Sequence, residues 1–245
     1  MDDLDATGAT YTTGSRQDRA IREQVVRTLK PYIPPHARAL QLGYAEGVDT
    51  GLLCPLVAHL DVVEGCRAFF EAGRAAGHAN VTFHLGLFEE FASTAPGGAY
   101  DCIFAVYVLE HVEDPPSLLR QLRRLLAPGG NLLAVVPNAR ALSRQLARHM
   151  GLIGELTDLT AHDRSHGHRR VYDRVSWNRD LESSGWQITA QGGLMLKILA
   201  DFQLDKLMEL GILEQPHLDG LYRLGLEYPD LCGSLFAVCA PAAEE

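Results

Sequence analysis

The chain has 245 residues, a formal net charge of −9 and a pI near 5.5, with 47 % apolar and 22 % charged residues. This composition is that of a globular protein that can fill a core, and its net negative charge argues against a nucleic-acid partner. The acidic start lacks a signal-peptide pattern, no apolar run could span a bilayer, and the five cysteines show no metal-ligand spacing. We therefore expect a cytoplasmic protein with free thiols and no membrane partner.

Residues 1–16 are small, polar and acidic, which predicts a mobile segment that could become ordered over a ligand. The apolar positions of residues 16–29 repeat at helical spacing, and Pro31 ends that helix. We expect one domain over 17–245.

Strands and helices alternate through the first half of the chain. The predicted strands cover 38–42, 60–64, 81–84, 100–106 and 131–136, and the predicted helices cover 48–59, 67–76 and 115–126. A tight turn is expected at residues 128–130. This regular alternation of strands and helices predicts a doubly wound, Rossmann-like parallel sheet with helices on both faces.

The pattern changes after residue 136. Helices are expected at 139–150, at 175–184 and, in two pieces, over 199–227, and strands at 187–191 and 231–238. We predict a seven-stranded sheet whose last strand is antiparallel and forms an edge hairpin. Residues 139–170 and 199–227 would form a helical cap.

The turn after the first predicted strand is the most informative stretch. Gly43 and Gly47 lie four residues apart between a strand and a helix, and Glu64 closes the second strand. In doubly wound sheets the backbone of such a turn approaches a nucleoside, while the acid accepts from ribose hydroxyls. The alternative is structural: a strand-to-helix turn can itself require glycine for a positive φ or for close packing.

An ordered set of motifs resembles the class I S-adenosylmethionine-dependent methyltransferases that act on small molecules. The set comprises residues 40–47, Glu64, residues 86–91, 100–101 and 108–112, and Pro128-Gly129-Gly130. The second half of the chain resembles a narrower branch of these enzymes, found in natural-product or polysaccharide biosynthesis. The matching stretches are residues 137–139, 150–153, 167–172 and 192–197. The resemblance implies S-adenosylmethionine as cofactor.

Three positions depart from the family's pattern. Gln41 and Leu87 stand where the family often has acids, for the methionine ammonium and the adenine amino group, and Ala45 replaces a glycine. The resemblance still implies a set of cofactor-binding residues: Tyr11, Gly43, Tyr44, Ala45, Gly47, Glu64, Gly65, Leu87, Phe88, Val106 and Tyr107. A core position for Leu87 and Phe88, and disorder for Tyr11, are the alternatives.

Histidine is suited to accept a proton near neutral pH, and two histidines are candidate catalytic bases. His111 follows the fourth strand, and His166 lies in a loop with three histidines and three arginines. Residues near that loop and in the tail could contact substrate: His168, Arg169, Arg170, Tyr172 and Lys197. A solvated loop is the alternative, and a metal held by His162, His166, His168 and Asp163 is a less favoured one, so no metal is expected.

The expected function is transfer of a methyl group from S-adenosylmethionine to an oxygen or nitrogen of a small metabolite. A nicotinamide oxidoreductase is the first alternative, although no Tyr-x-x-x-Lys pair is found. A non-catalytic cofactor-binding regulator is the second, because of the acid missing at Gln41. Homo-oligomer formation is left open.

Overall fold

The computed structural model describes residues 15–243. Tyr11 and the predicted mobile segment up to residue 14 therefore lie outside the described residues. The strands are β1 Arg38–Leu42, β2 His59–Glu64, β3 Val81–Leu85, β4 Tyr100–Val106, β5 Leu126–Pro137, β6 Trp186–Leu194 and β7 Ser234–Pro241. The helices are α1 Arg16–Leu29, α2 Val48–Leu53, α3 Arg67–Ala75, α4 Phe88–Thr94, α5 Pro115–Leu125, α6 Leu142–His149, α7 Ala161–Ser165, α8 Arg174–Ser183, α9 Asp201–Glu209 and α10 Gln215–Glu227.

The seven strands form one sheet in the order β3-β2-β1-β4-β5-β7-β6. Strands β1 to β5 pair in parallel, and β7 is antiparallel to both of its neighbours. The predicted seven-stranded, mostly parallel sheet with an antiparallel last strand is confirmed. Strands β2 and β3 are added on one side of β1, and β4 and β5 are added on the other side. The carboxyl ends of β1 and β4 therefore border the crevice where open α/β sheets bind ligands.

Helices cover both faces of the sheet. On one face the core is formed with α5, whose leucines Leu118, Leu119, Leu122 and Leu125 are fully buried, and with Trp177 of α8. On the other face the core is formed with α1 and the segment after α2. Two buried faces explain why β4 is apolar at nearly every position. No helix within residues 15–243 has the length and apolarity to cross a membrane.

Several element bounds differ from the expectation. Helix α2 ends at Leu53 because Pro55 has no amide hydrogen to continue the helix, and a short 3-10 turn follows. Strand β5 begins at Leu126, which pairs with Tyr100, and the Pro128-Gly129-Gly130 stretch lies within it at a register shift. Strand β6 extends beyond its predicted bounds, and β7, expected over 231–238, begins and ends later, at Ser234 and Pro241. The short helices α4 and α7 were not predicted.

Helix α1 joins the cap to the sheet. Ala20 and Ile21 pack against residues of the cap, including Leu204 of α9 and Leu218 of α10. The next residue, Arg22, is also buried, and it pairs with Asp49 at the start of α2 and with Asp18. The first helix therefore carries a buried charge toward the carboxyl ends of the strands.

Replacement of Asp18 by asparagine is expected to stabilise the fold at pH 8. Burial raises the pKa of Asp18 to about 6, because Arg22 offsets only part of the desolvation and Asp49 and Asp201 add repulsion. An acid whose pKa is raised on folding loses stability as the pH rises through that pKa. We expect Asp18→Asn to add about 1–2 kcal/mol to the unfolding free energy at pH 8 and to add little at pH 4.

Urea denaturation at the two pH values measures this difference. Glu23→Gln removes the acid of an exposed pair with Arg19 on the same helix and should change stability little at either pH. A destabilised Asp18→Asn protein at pH 8 would show that the pair with Arg22 outweighs the desolvation of the carboxylate.

Candidate functional site

The glycine turn lies between β1 and α2, at the carboxyl end of the sheet. Gly43 and Gly47 have φ near +80°, and Ala45 between them has φ of 50°. The Gly43 amide donates to the Val63 carbonyl at 2.8 Å, which attaches the turn to β2. A left-handed alanine is uncommon and costs conformational energy, as is often found at ligand-binding turns. The turn therefore has the backbone geometry that the sequence predicted.

Alanine at Gly47 is expected to disturb this turn through Tyr44. A Cβ at Gly47 would lie 2.3 Å from the hydroxyl oxygen of Tyr44 and 2.5 Å from Cζ, and its φ of +80° is itself unfavourable for alanine. The buried Tyr44 ring packs edge-on against Phe83 at 5.2 Å, so moving it disrupts the core. We expect Gly47→Ala to lower the unfolding free energy by about 2 kcal/mol.

Gly51 is the matched control, since it lies in α2 and a Cβ there meets nothing within 4 Å. Thermal and urea unfolding should show Gly51→Ala as neutral or slightly stabilising, as alanine favours a helix by up to about 1 kcal/mol over glycine. Equal stability of the two variants would mean that Tyr44 moves aside without cost.

Glu64 holds the turn by accepting backbone amides. Its Oε2 accepts from Tyr44 N at 2.7 Å and from Ala45 N at 3.3 Å, and its Oε1 accepts from Cys66 N at 2.7 Å. A carboxylate has about four acceptor directions, so these contacts leave about one, on Oε1. Glu64 therefore fixes the glycine turn and still has one direction for a ligand hydroxyl; to accept from two hydroxyls it would have to release the long bond from Ala45.

Gln41 connects the turn to α2 in a way that an acid could not. Its Nε2 donates to the Gly43 carbonyl at 2.7 Å, and its Oε1 accepts from the Thr50 hydroxyl at 3.0 Å. The amide thus acts as donor and acceptor at once, whereas a carboxylate only accepts. The departure at Gln41 strengthens the turn itself and leaves no acid at this position for a ligand ammonium group.

The end of β4 borders the same crevice. Tyr107 has φ of 54°, its amide donates to the Val135 carbonyl at 2.9 Å, and its hydroxyl lies 2.8 Å from Oγ of Ser234. The Arg22 guanidinium lies over its ring, 4.7 Å from the centroid. This cation–π contact and the hydroxyl contact fix a strained residue at the position where the sequence places Val106 and Tyr107 beside the cofactor.

An open cavity of 330 Å³ lies at the ends of β2 and β3. Its lining includes Val63, Gly86, Leu87 and Phe91. Leu87 is partly exposed, and Phe88 lies 3.9 Å from where a Cβ of Gly43 would be, so both predicted adenine contacts lie at the crevice. Gly65 follows Glu64 at the same edge.

A buried acid and two imidazoles meet beyond the end of β4. Glu110 is completely buried, and neither of its carboxylate oxygens has a hydrogen-bond partner among the described residues. Burial raises the pKa of Glu110 to about 7 and lowers the pKa of His111 to about 3. His168 comes from the loop before α8, and its ring lies 4.8 Å from that of His111.

The histidine-rich loop forms a row of imidazoles rather than one cluster. The ring centroids of His162 and His166 are 4.1 Å apart, and those of His166 and His168 are 6.5 Å apart. Asp163 is held by other partners, because its Oδ2 accepts from the Thr160 amide and hydroxyl and from Arg144. The structure thus brings His111 and His168 together and leaves His166 between them and the exposed His162.

Two predicted substrate contacts have structural roles instead. The Arg170 guanidinium donates to the carbonyls of Leu109 and Glu113, at 2.9 and 3.0 Å, and to that of Val112. Tyr172 is buried in the core, and its hydroxyl donates to Asp180 at 3.1 Å. These contacts occupy both side chains without a ligand and argue against the substrate roles expected from the sequence.

Of the three other predicted contacts, His168 lies beside His111, and Lys197 and Arg169 differ in their surroundings. Lys197 pairs with Asp201 at the start of α9, and Arg169 has an exposed side chain while its amide donates to the Glu110 carbonyl at 2.8 Å. Among Lys197, Arg169 and Arg170, Arg169 has the exposed side chain, so it is the one that a substrate could reach.

Sequence reasoning missed Arg22 and Glu110. Arg22 lies four residues after Asp18 and shares the apolar face of α1 with Val25 and Val26, which marks it as a buried charge. Glu110 is an acid within the otherwise apolar Val108-Leu109 stretch that follows a buried strand. A charge where the pattern requires an apolar residue was the signal in both cases.

Comparison with known proteins agrees with this geometry. The family model described as "Methyltransferase domain" matches residues 14–191. A ubiquinone biosynthesis O-methyltransferase of Xanthomonas campestris is 27 % identical over 116 residues, which are 46 % of this chain and 48 % of that protein. The lovastatin diketide synthase of Aspergillus terreus is 35 % identical over 112 residues, 41 % of this chain and 4 % of that protein. The chain thus spans less than half the length of these relatives.

Among solved structures, an S-adenosylmethionine-dependent methyltransferase from Mesorhizobium loti has a TM-score of 0.61 at 16 % identity. The likeness covers 88 % of this chain and 97 % of that one, and at this identity it shows the fold. Because the family match extends over most of the chain and the fold agrees, the resemblance drawn from the sequence is confirmed: the chain belongs to the methyltransferase domain family, in the class I S-adenosylmethionine-dependent group.

Proposed function

We propose that this protein transfers a methyl group from S-adenosylmethionine to an oxygen or nitrogen of a small metabolite. The observation that carries the proposal is the glycine turn held by Glu64, which lies at the carboxyl ends of β1 and β2 in a methyltransferase fold. An acceptor of sugar-like or natural-product chemistry and a cytoplasmic location, in keeping with five free, buried thiols, complete the proposal.

The cofactor would lie across the carboxyl edge of the sheet. The adenosine end occupies the cavity beside Leu87 and Phe88, and the ribose reaches the remaining acceptor direction of Glu64. The methionine end follows Tyr44 and Ala45 toward the backbone of Val106 and Tyr107. S-adenosylmethionine supplies a methyl group already activated by its sulfonium, so the protein's task is to hold an acceptor in line with it and to exclude water.

The acceptor side lies beyond the end of β4. His111 and His166 are the candidate proton acceptors for a hydroxyl or amine, a role worth about 10²–10⁴-fold in rate. His168 and Arg169 are the candidate substrate contacts next to them. A row of imidazoles offers acceptors for a proton without introducing a permanent charge.

The sheet itself disfavours the oxidoreductase alternative. Nicotinamide-binding sheets continue past β5 in parallel, in the order 3-2-1-4-5-6, whereas here β7 is antiparallel between β5 and β6. The family match points the same way.

Calorimetry with S-adenosylhomocysteine tests the cofactor claim, and incubation with methyl-labelled S-adenosylmethionine and a metabolite extract, read by mass spectrometry, tests the transfer. We expect saturable binding and at least one labelled product. Absence of binding would contradict the cofactor assignment, whereas binding without any labelled product would favour a cofactor-binding regulator.

A further inference from the structure

The carboxylate of Glu110 is the least satisfied polar group near the site. It is completely buried, yet both oxygens lack a hydrogen-bond partner among residues 15–243. Buried polar groups are normally paired, and an unpaired carboxylate is far more costly than an unpaired hydroxyl or amide. Such a group calls for a partner that the protein chain itself does not provide.

Two imidazoles complete a set of ligand atoms around this carboxylate. One atom from each of Glu110, His111 and His168 lies within 4.8 Å of the other two. The remaining separation is larger than in an occupied site, so the two rings would draw in by a small rotation.

Each of the two rings also faces an oxygen from the protein. Nδ1 of His168 lies 3.4 Å from Oδ1 of Asp163, and the His111 ring bonds to the Gly167 carbonyl. Asp163 is itself fixed by the capping box of α7 and by Arg144 at 3.1 Å. Metal-binding histidines characteristically have such an oxygen behind them, which sets the ring orientation and raises the basicity of the ligand nitrogen.

The nearby arginines do not prevent a cation from binding. Arg22 is paired with Asp18 and Asp49, and the Arg170 guanidinium is occupied by three carbonyls. Each positive charge thus has its own acceptors, and the site's one carboxylate is left for the ion.

We propose that Glu110, His111 and His168 bind a divalent transition-metal ion, such as Zn²⁺, Mn²⁺ or Fe²⁺, at the acceptor side of the cleft. Two imidazoles and one carboxylate suit these borderline ions better than Mg²⁺ or Ca²⁺, which prefer oxygen ligands. Three protein ligands leave coordination positions open, as in sites that also bind a small molecule. Resting on the proposed function, the ion would orient an acceptor oxygen, and His166 would remain as the base.

Metal binding by the full chain tests the proposal without any need for turnover. The chelator-treated protein is titrated with Co²⁺ and Zn²⁺, and the ions retained are measured by elemental analysis and by the visible absorption of Co²⁺. We expect about one ion per chain and a rise in melting temperature with Zn²⁺. Glu110→Gln and His168→Ala should each weaken binding by about 10–100-fold or more.

His162→Ala is the matched control, because His162 is an exposed histidine of the same loop that lies outside the three ligands. Its binding should equal that of the wild type. Glu110→Gln keeps the shape of the side chain and removes the buried charge, so its folding, checked by circular dichroism, separates a lost ligand from a lost fold.

Three outcomes would overturn the proposal: no ion retained by the wild type, undiminished binding in folded Glu110→Gln or His168→Ala protein, or an equal loss in His162→Ala, which would place the ion in the loop. S-adenosylhomocysteine binding by the same samples keeps the two claims apart. Cofactor binding without metal rejects only the ion, and metal binding without cofactor rejects only the proposed function.

Discussion

Alanine at Glu64 is expected to weaken S-adenosylhomocysteine binding by about 100-fold, the largest effect of a single substitution that we anticipate on the cofactor. A hydrogen bond to a charged acceptor contributes about 1.5–3 kcal/mol, and each 1.4 kcal/mol is tenfold in affinity. One ribose hydroxyl therefore accounts for about 10–100-fold. The rest arises because Tyr44 N, Ala45 N and Cys66 N lose their acceptor, so the turn that receives the ligand is no longer fixed.

Calorimetric titration with S-adenosylhomocysteine, together with urea unfolding, separates these two contributions. Glu64→Gln preserves the shape but places an amide NH2 group, a donor, against backbone N–H donors, so we expect a similar loss of affinity with a smaller loss of stability. Glu71→Ala, at an exposed acid of α3, is the control and should bind as the wild type does. An affinity of Glu64→Ala within threefold of wild type would mean that the ribose is held elsewhere.

Alanine at Arg170 is expected to cost about 3 kcal/mol of unfolding free energy, the largest loss of stability among these variants. The guanidinium donates hydrogen bonds to three backbone carbonyls of the segment between β4 and α5, and Leu109 and Val112 are buried there. Without Arg170 those carbonyls lose their donor in a place that water reaches poorly. Since the same segment carries Glu110 and His111, the acceptor side should lose order with it.

The neighbouring residue is a matched control. Arg169 has an exposed side chain, and Arg169→Ala should change the unfolding free energy by less than about 0.5 kcal/mol. Arg170→Lys should recover only part of the loss, because an ammonium lacks the planar fork of donors. If urea unfolding showed Arg170→Ala to be as stable as Arg169→Ala while the KM for an acceptor rose, Arg170 would be the substrate contact that the sequence suggested.

The parts of the molecule that the sequence predicted well are those governed by local periodicity. Strand β1, which leads into the glycine turn, its neighbour β4 and helix α1 have the expected bounds, because a buried strand and an amphipathic helix are each encoded within a few adjacent residues. Glu64 was found for the same reason, since its distance from Gly43 is set by one strand–helix–strand unit.

The parts that could not be predicted depend on contacts between distant segments. Arg170 looks like a substrate-binding residue in a basic loop, and only its distance to the Leu109 carbonyl, 61 residues earlier, reveals its structural role. The pairing of His168 with His111, rather than with His162, likewise depends on how the loop folds back over the end of β4. Charge and composition do not carry that information.

The contacts of α1 bear on when the site can form during synthesis. Gln17, Gln24 and Thr28 bond to Asp205, Leu218 and Tyr222, which follow them by 188 to 194 residues. A nascent chain has made the glycine turn and five strands long before those partners leave the ribosome. Helix α1 also carries Arg22 to Tyr107, and these late partners hold that helix in place. We therefore expect ligand affinity in ribosome-bound chains to appear only with the last quarter of the protein.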